Sequence, residues 1–417
     1  MSKKAIINAF ESNILIALIV VGVVGGAFGL WASDRFWFSF LQNALFVLTI
    51  ALGAVLFVTF KAVSNAGWAT VLRRVPEAMM SYVPVGGICL LLIFFGRNTL
   101  YTWTQTTFRS HETGAELGFK NAWLSTPFFF GRMVVFLAIW CGLIYLIKRA
   151  SFRQDRDPNV AYTNKRKIYS ALFIVVFGIT FSLASFDWVM SLEPMFYSTI
   201  FGFYMISGTL TSSAAAITLL VILLKKRGQL SAVGDKHMHA LGQIVLGFST
   251  FWAYMWISQY LLIYYANLPE ETIYYVRRTS TNGWMTVFVV NLFLNWVIPF
   301  VMLLPRQVKL NTKWMVAACS IVLLGHWLDL YAMVFPANFG SPRIGFVDIA
   351  LTIGFAALFM FVFAKNLNAD RMVPINDPYL SESLEHDGLE VFGFRANEPF
   401  DPKESQAYGR SLASFRT

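Results

Sequence analysis

Long apolar segments alternate with short polar stretches along most of the chain. A helix that crosses a bilayer needs about twenty predominantly apolar residues, and ten segments of the chain reach that length. Those segments are 13–33, 36–60, 78–96, 124–147, 168–190, 195–224, 238–266, 284–304, 312–335 and 344–364. The pattern predicts an all-α integral membrane protein with ten transmembrane helices in a membrane domain at 13–365. A stub at 1–12 precedes this domain, and a polar tail at 366–417 follows it.

Lysine and arginine are distributed unevenly between the two sets of loops. With a cytoplasmic N-terminus, the stub and the loops on the same side hold more than twice as many of these residues as the opposite loops. The loop that contains RASFRQDRDPNVAYTNKRK contributes most to this difference. Because cytoplasmic loops of membrane proteins are enriched in lysine and arginine, both termini are predicted to be cytoplasmic.

The composition agrees with a protein that lies in a lipid bilayer. The chain is 57% hydrophobic and 13% charged, whereas soluble domains have about 25% charged residues. The net charge of +10 does not indicate nucleic-acid binding, because the basic residues lie in short loops between the spans. The three cysteines lie in apolar segments without a CxxC pair, so no metal site, attached haem or iron–sulfur cluster is predicted on this chain.

Two ionisable residues, His326 and Asp329, lie within the predicted ninth span, in LGHWLDLYAMVF. A charged residue at the centre of a spanning helix costs about 2.5–3.5 kcal/mol on insertion scales. Residues three apart lie on the same face of a helix. The pair is therefore predicted to face the protein interior, as a site for protons or a polar ligand. A purely structural pair is the alternative.

Other polar side chains are predicted at the outer ends of several spans. They are Arg132, Asp187, Glu193, Gln259 and Asp348. If these helix faces converge with that of His326, they form one polar chamber that opens to the outer side. Asn291 and Asn295, four residues apart on the eighth span, would connect this chamber to the inner half. Alternatively, Arg132 only neutralises an acid, Asp187 lies at the headgroups, and the asparagines only join helices.

The first span carries four glycines in two overlapping GxxxG motifs, Gly22/Gly26 and Gly25/Gly29. Such motifs let a second helix backbone approach closely. The second helix could belong to this chain or to a partner subunit.

Two polar segments are predicted on the cytoplasmic side. The segment 65–79, NAGWATVLRRVPEAM, is predicted to form an amphipathic turn or helix at the membrane surface. The tail after 366 is predicted to lie over this chain or over a partner, with a disordered tail as the alternative.

The segment SFDWVMSLEPMFYSTIFGFYMISG, at 185–208, resembles the NrfD-like membrane subunits, and most closely the smaller of the two such subunits of bacterial alternative complex III. The GHWLDLYAMVFP segment at 325–336 and the ten spans fit the same family. Met195 departs from it, because relatives often have histidine after the Glu-Pro pair. The resemblance implies two four-helix bundles, from helices 2–5 and 6–9, flanked by helices 1 and 10, in the bacterial inner membrane.

The same resemblance implies a membrane subunit of a quinol:cytochrome c, or quinol:oxidase, oxidoreductase. The chain would contribute a quinone-binding site, for menaquinone or ubiquinone, or a proton-conducting path. The implied partners are a second NrfD-like subunit, an iron–sulfur subunit, c-type cytochrome subunits that carry haem c, and a terminal oxidase. His326 and Asp329 are then a proton relay, with Asp187 and Asp348 as exit groups and Arg132 as a tuning charge. No complete catalytic site is expected on this chain alone.

Two other functions remain open on the sequence. Ten helices suit the inverted repeat of a secondary transporter, although the ionisable residues lie outward rather than at the membrane centre. Alternatively, the chain is a scaffold whose polar groups only satisfy one another.

Overall fold

A computed structural model describes residues 9–32, 34–108, 118–279, 283–369 and 372–385. The regular structure of these residues is helical, and ten of their helices are long and apolar enough to cross a membrane. We label these helices α1 (Glu11–Trp31), α2 (Phe36–Ser64), α3 (Arg74–Leu100), α4 (Thr126–Gln154), α5 (Ala161–Leu192), α6 (Phe201–Lys226), α7 (Asp235–Ala266), α8 (Trp284–Leu303), α9 (Thr312–Val334) and α10 (Phe346–Leu367). The prediction of ten spans is confirmed.

The hydrogen bonds between connections define two sides of the membrane domain. On one side, Ser383 donates to the carbonyl of Trp68 between α2 and α3, and Asn376 donates to the carbonyl of Gln154 at the end of α4. We call it the tail side, because residues 372–385 lie there. On the opposite side, here the distal side, Trp284 donates to the carbonyl of Phe339 between α9 and α10.

Short helices lie on both sides. Gly118–Trp123 and Pro269–Thr279 lie on the distal side. Arg306–Leu310 and Leu380–Glu385 lie on the tail side. The predicted span at 195–224 begins later, at Phe201, because the chain first forms a short 3-10 helix at Met190–Leu192 and then a turn.

The spanning helices pack in two groups. In the first, α2, α3, α4 and α5 pack in succession and α5 returns to α2; in the second, α6, α7, α8 and α9 pack in succession and α9 returns to α6. Helices α2 and α6 join the two groups, and they are the two most buried spans. Helix α10 packs on α2 and α3, and α1 packs mainly on α10.

Small residues allow α2 and α6 to approach closely. A side chain at Gly53 of α2 would collide with the Ser213 side chain and the Thr209 backbone oxygen of α6. The serine and threonine hydroxyls at 207–213 each donate to a carbonyl of their own helix; that of Ser213, for example, donates to the carbonyl of Leu210. The hydroxyl-rich segment of α6 is therefore a packing surface between the two groups.

The glycine motifs of α1 are used within this chain. A Cβ atom at Gly22 would lie 2.5 Å from the Cα of Gly354 on α10, and one at Gly25 would lie 2.5 Å from the Cβ of Ala350. The backbones of α1 and α10 therefore touch. Of the two possible partners of the glycine motifs, the structure shows a helix of the same chain.

Replacing Gly22 with leucine is expected to push α1 away from α10, because the contact is between backbones and cannot yield. Inserting a side chain into a packed contact costs about 1–3 kcal/mol. The check is the unfolding temperature of the detergent-purified chain, with Gly142→Ala as the control, since a Cβ at Gly142 meets nothing within 4 Å. An unchanged unfolding temperature for the leucine variant would contradict this packing.

The segment 65–79, predicted to form an amphipathic turn or helix at the membrane surface, forms a 3-10 turn and the start of α3, and most of it is buried within the protein. Arg73 and Arg74 are buried, with 1% and 2% of their surface exposed. Asp377 of the tail forms ion pairs with Arg73 and with Arg166, and Arg74 pairs with Glu77 and with Asp155. We call these residues the tail cluster. Residues 372–385 of the tail pack against the tail side of this chain. Residues 386–417 lie outside the described residues.

Candidate functional site

The side chain of Asp329 on α9 is enclosed by the other three helices of its group. Three uncharged groups donate hydrogen bonds to its carboxylate: the hydroxyl of Tyr204 on α6, the Nε1 of Trp252 on α7 at 2.9 Å, and the Nδ2 of Asn291 on α8 at 2.7 Å. Only 1% of Asp329 is exposed. No ion pair to Asp329 occurs within the described residues, so its surroundings are polar but uncharged.

Asn295 extends these contacts one turn along α8. Its Nδ2 donates to the Oδ1 of Asn291 at 2.7 Å, and its own backbone oxygen accepts the hydroxyl of Ser249 on α7. Asn291 and Asn295 therefore lie on the same face, as the four-residue spacing predicted. The contacts run from Asp329 towards the middle of α8.

The local backbone of α8 explains the contact with Ser249. In a regular α-helix the amide of residue 299 would donate to the carbonyl of Asn295, but residue 299 is proline and has no amide hydrogen. The Ser249 hydroxyl takes that place. Phe293–Val297 forms a π-helical segment, and such segments frequently mark functional sites within helices.

His326 lies one turn before Asp329 and is buried, with 2% of its surface exposed. Its Nε2 is 3.0 Å from the Oγ1 of Thr49 on α2, and its ring is close to Gly208 on α6. Its Nδ1 has no hydrogen-bond partner in the described part of the chain. His326 thus faces the seam between the two helix groups, and no hydrogen bond joins it to Asp329.

Asp187 and Arg132 form a separate, closed ion pair within the first group of helices. Arg132 donates through Nε and Nη2 to the two carboxylate oxygens, at 2.9 Å each. Trp123 donates to the same carboxylate at 2.9 Å, and the guanidinium lies 3.9 Å from the centre of its ring. Both charges are buried. The contacts therefore agree with the alternative in which Arg132 neutralises an acid, and that acid is Asp187.

Two further acids are held on the distal side by other groups. Asp348, at the start of α10, accepts the hydroxyl of Ser39 and the amide of Gly345, and lies 3.6 Å from Arg35. Glu193 lies 3.0 Å from Arg277 and 2.8 Å from Arg278, both in the helix Pro269–Thr279. These acids therefore tie distal connections to spanning helices.

Gln259 is buried on the same face of α7 as Trp252, two turns closer to the distal side. Only 1% of its surface is exposed, and neither atom of its amide has a partner within the described residues.

The contacts do not join the nine predicted residues in one chamber. They bring Asp329, Asn291 and Asn295 together and place the other acids in separate ion pairs or caps. The physical reason is that arginines from the distal connections reach Glu193 and Asp348, and Arg132 reaches Asp187, so each acid is satisfied locally. Sequence reasoning missed Tyr204, Trp252 and Thr49. Tyrosine and tryptophan number 16 and 13 in this chain, so nothing distinguishes these positions from other aromatic positions.

The fold defines a multi-pass integral membrane protein with a buried polar site in its second helix group. No cluster of three or more histidine, cysteine or acidic side chains that could hold a metal ion occurs in the part of the chain that the structure describes. No protein-family model matches the chain, and no curated protein matches it.

Proposed function

We propose that the chain is a membrane subunit of a quinol:cytochrome c, or quinol:oxidase, oxidoreductase of the alternative complex III type. It would lie in the bacterial inner membrane with both termini cytoplasmic, and Asp329 would be its proton-accepting group. The observation that carries the proposal is the enclosure of the Asp329 carboxylate by three uncharged donors, from three different helices.

Asp329 is suited to proton transfer because none of these three donors carries a charge. A buried charge is normally paired, because transfer out of water is costly. Asp187 follows that rule, and protonating it would leave the charge of Arg132 uncompensated. Asp329 can take up or release a proton without breaking an ion pair. Its anionic form is stabilised by charge-assisted hydrogen bonds instead.

The contacts around Asp329 suit a short proton path. Tyr204 lies one turn from the distal end of α6, so it borders the route to that side. Asn291 donates to the carboxylate from α8, and Asn295, one turn further towards the tail side, donates to Asn291. His326, whose Nδ1 atom has no hydrogen-bond partner among the described residues, is a second proton-accepting group in the proposal.

Quinol oxidation releases two protons, and the quinol, menaquinol or ubiquinol, is the proposed source of those that reach Asp329. The redox centres are proposed to lie on partners: an iron–sulfur subunit, c-type cytochrome subunits with haem c, and a second NrfD-like subunit. A cytochrome c or a terminal oxidase would accept the electrons. The packing order of α2–α5 and of α6–α9, each closing on itself, supports the two four-helix bundles that belong to this proposal.

Replacing Asp329 with asparagine tests the function. The single oxygen of asparagine can still accept from Tyr204 and Asn291, although its NH2 group cannot accept from Trp252, and the side chain can no longer carry a proton. A positioned acid–base group contributes about 10²-fold or more to a proton-transfer step; since His326 remains, we expect about a tenfold loss. Quinol:acceptor activity and proton release are measured on the assembled complex in liposomes.

Asp157→Asn is the control, because Asp157 is an exposed acid between α4 and α5. Subunit and haem content show whether the complex assembles with each variant. Unchanged activity and unchanged proton release in an intact Asp329→Asn complex would exclude the proposed role.

A scaffold role is the second candidate, and the closed pairs of Asp187 with Arg132 and of Glu193 with Arg278 favour it. The two functions differ in one measurement. A scaffold retains full turnover in both Asp329→Asn and His326→Gln, as long as the complex stays intact.

A further inference from the structure

The side-chain amides of Asn291 and Asn295 are hydrogen-bonded in a fixed direction. The NH2 group of Asn295 has two hydrogens, and both go to Asn291: one to its backbone oxygen at 3.1 Å and one to its Oδ1 at 2.7 Å. Since the Oδ1 of Asn291 is an acceptor here, the NH2 group of Asn291 points the other way and donates to Asp329 at 2.7 Å. Asn295 therefore determines which end of the Asn291 amide faces the carboxylate.

The opposite orientation of the Asn291 amide is unfavourable at both of its ends. After half a turn, its Oδ1 would face an oxygen of the Asp329 carboxylate, and its NH2 group would face the NH2 group of Asn295. Each of these three residues is only 1% exposed. Leaving buried polar groups without partners is costly, so Asn295 keeps Asn291 in the orientation that donates to Asp329.

A glycine on α9 makes room for the Asn295 amide. Gly325 lies four residues before Asp329, on the same face of α9. A Cβ atom at Gly325 would lie 2.8 Å from the Cγ of Asn295 and 2.9 Å from both its Nδ2 and its Oδ1. The amide therefore lies directly against the backbone of α9. The backbone of Asn295 is held separately, by the Ser249 hydroxyl from α7, so a side chain at 325 would displace the amide.

We propose that Asn295 and Gly325 are positioning residues for Asp329. Asn295 holds Asn291 with its NH2 group towards the carboxylate, and Gly325 leaves the space that the Asn295 amide needs. Both act on the carboxylate through Asn291. The inference rests on the proposed function, in which Asp329 takes up and releases a proton, because a donor held in place stabilises the ionised carboxylate without a counter-ion.

Infrared spectroscopy of the purified full chain tests the positioning without quinol or partner subunits. The bands of the Asp329 carboxyl group are those that pH-difference spectra of the wild type contain and those of Asp329→Asn lack. Asn291→Ala removes a donor and sets the expected direction, since a carboxyl C=O group that accepts fewer hydrogen bonds vibrates at a higher frequency. We expect Asn295→Ala to shift the band in the same direction, by a smaller amount.

Gly325→Ala is expected to shift the same band in the same direction, because its methyl group displaces the Asn295 amide. If Gly325 acts only through Asn295, adding Gly325→Ala to Asn295→Ala causes no further shift. Gly247→Ala is the control, since a Cβ atom at Gly247 on α7 meets nothing within 4 Å. It should leave the band unchanged.

A wild-type band in Asn295→Ala would overturn the proposal. So would a Gly325→Ala shift that is the same with and without Asn295. If Gly325→Ala fails to fold, Asn295→Ala alone decides. Full turnover and proton release in an intact Asp329→Asn complex would exclude the proposed function instead, and the infrared band would still decide the positioning.

Discussion

Replacing Arg132 with methionine is expected to lower the free energy of unfolding by about 3–5 kcal/mol, because removing one partner of a buried ion pair leaves the other charge uncompensated. Asp187 is 1% exposed, and Arg132 supplies two of the three hydrogen bonds to its carboxylate. Only the Trp123 bond would remain. The measurement is unfolding of the purified chain by denaturant in mixed micelles, together with its apparent melting temperature.

The double variant Arg132→Met with Asp187→Asn is the matched control. It removes both charges, and replacing a whole buried pair by neutral groups is often nearly neutral for stability. Most of the lost stability should therefore return. If Arg132→Met is as stable as the wild type, this ion pair does not stabilise the fold. If the double variant is no more stable than Arg132→Met alone, the uncompensated charge of Asp187 is not the cause of the loss.

Replacing Asp377 with asparagine is expected to release residues 372–385 from the tail side, with a loss of about 3–5 kcal/mol for breaking a buried ion pair. The carboxylate of Asp377 lies between Arg73 and Arg166, and 3% of the residue is exposed. Without it, the positive charges of the tail cluster face one another beneath the tail. Amide hydrogen exchange at 372–385 should become faster, and the melting temperature should fall.

The same contact gives the tail a defined dependence on pH. Burial by itself raises the pKa of Asp377, but the charges of Arg73, Arg166 and Lys61 lower it well below its ordinary value. Since the folded-state pKa lies below the unfolded value of about 3.9, the stabilisation is fully present above that pH. It is lost as the pH falls below it. Asp377→Asn should remove this acid-sensitive component.

Asp157→Asn is the control for the tail, because Asp157 is an exposed acid on the tail side, in the connection between α4 and α5. It should change neither the hydrogen exchange of 372–385 nor its dependence on pH. Wild-type exchange in Asp377→Asn would contradict the role of this contact.

The membrane domain was predictable from the sequence because a bilayer sets a minimum length for an apolar helix. The burial of 65–79 was not, because the local pair of Arg73 with Glu77 is completed by Asp377, about three hundred residues later in the chain. No local pattern reports such a partner. The sequence allowed Arg132 to neutralise an acid, but it did not indicate that the acid is Asp187 or that Glu193 pairs with Arg277 and Arg278.

The site was predictable in part. An acid within an apolar span had to be enclosed by protein, and Asp329 is. The four-residue spacing of Asn291 and Asn295, and that of Asn295 and Pro299, could be derived from the sequence. The rotation of each helix about its axis could not, and that rotation decides that Trp252 points to Asp329 and that His326 points to Thr49.

Thr49 and Gly53 are four residues apart, so they occupy the same face of α2. Thr49 touches His326, and Gly53 admits the backbone of α6. One strip of α2 therefore touches both the imidazole and the neighbouring helix. The contact of α2 with His326 therefore lies one turn from its closest approach to α6.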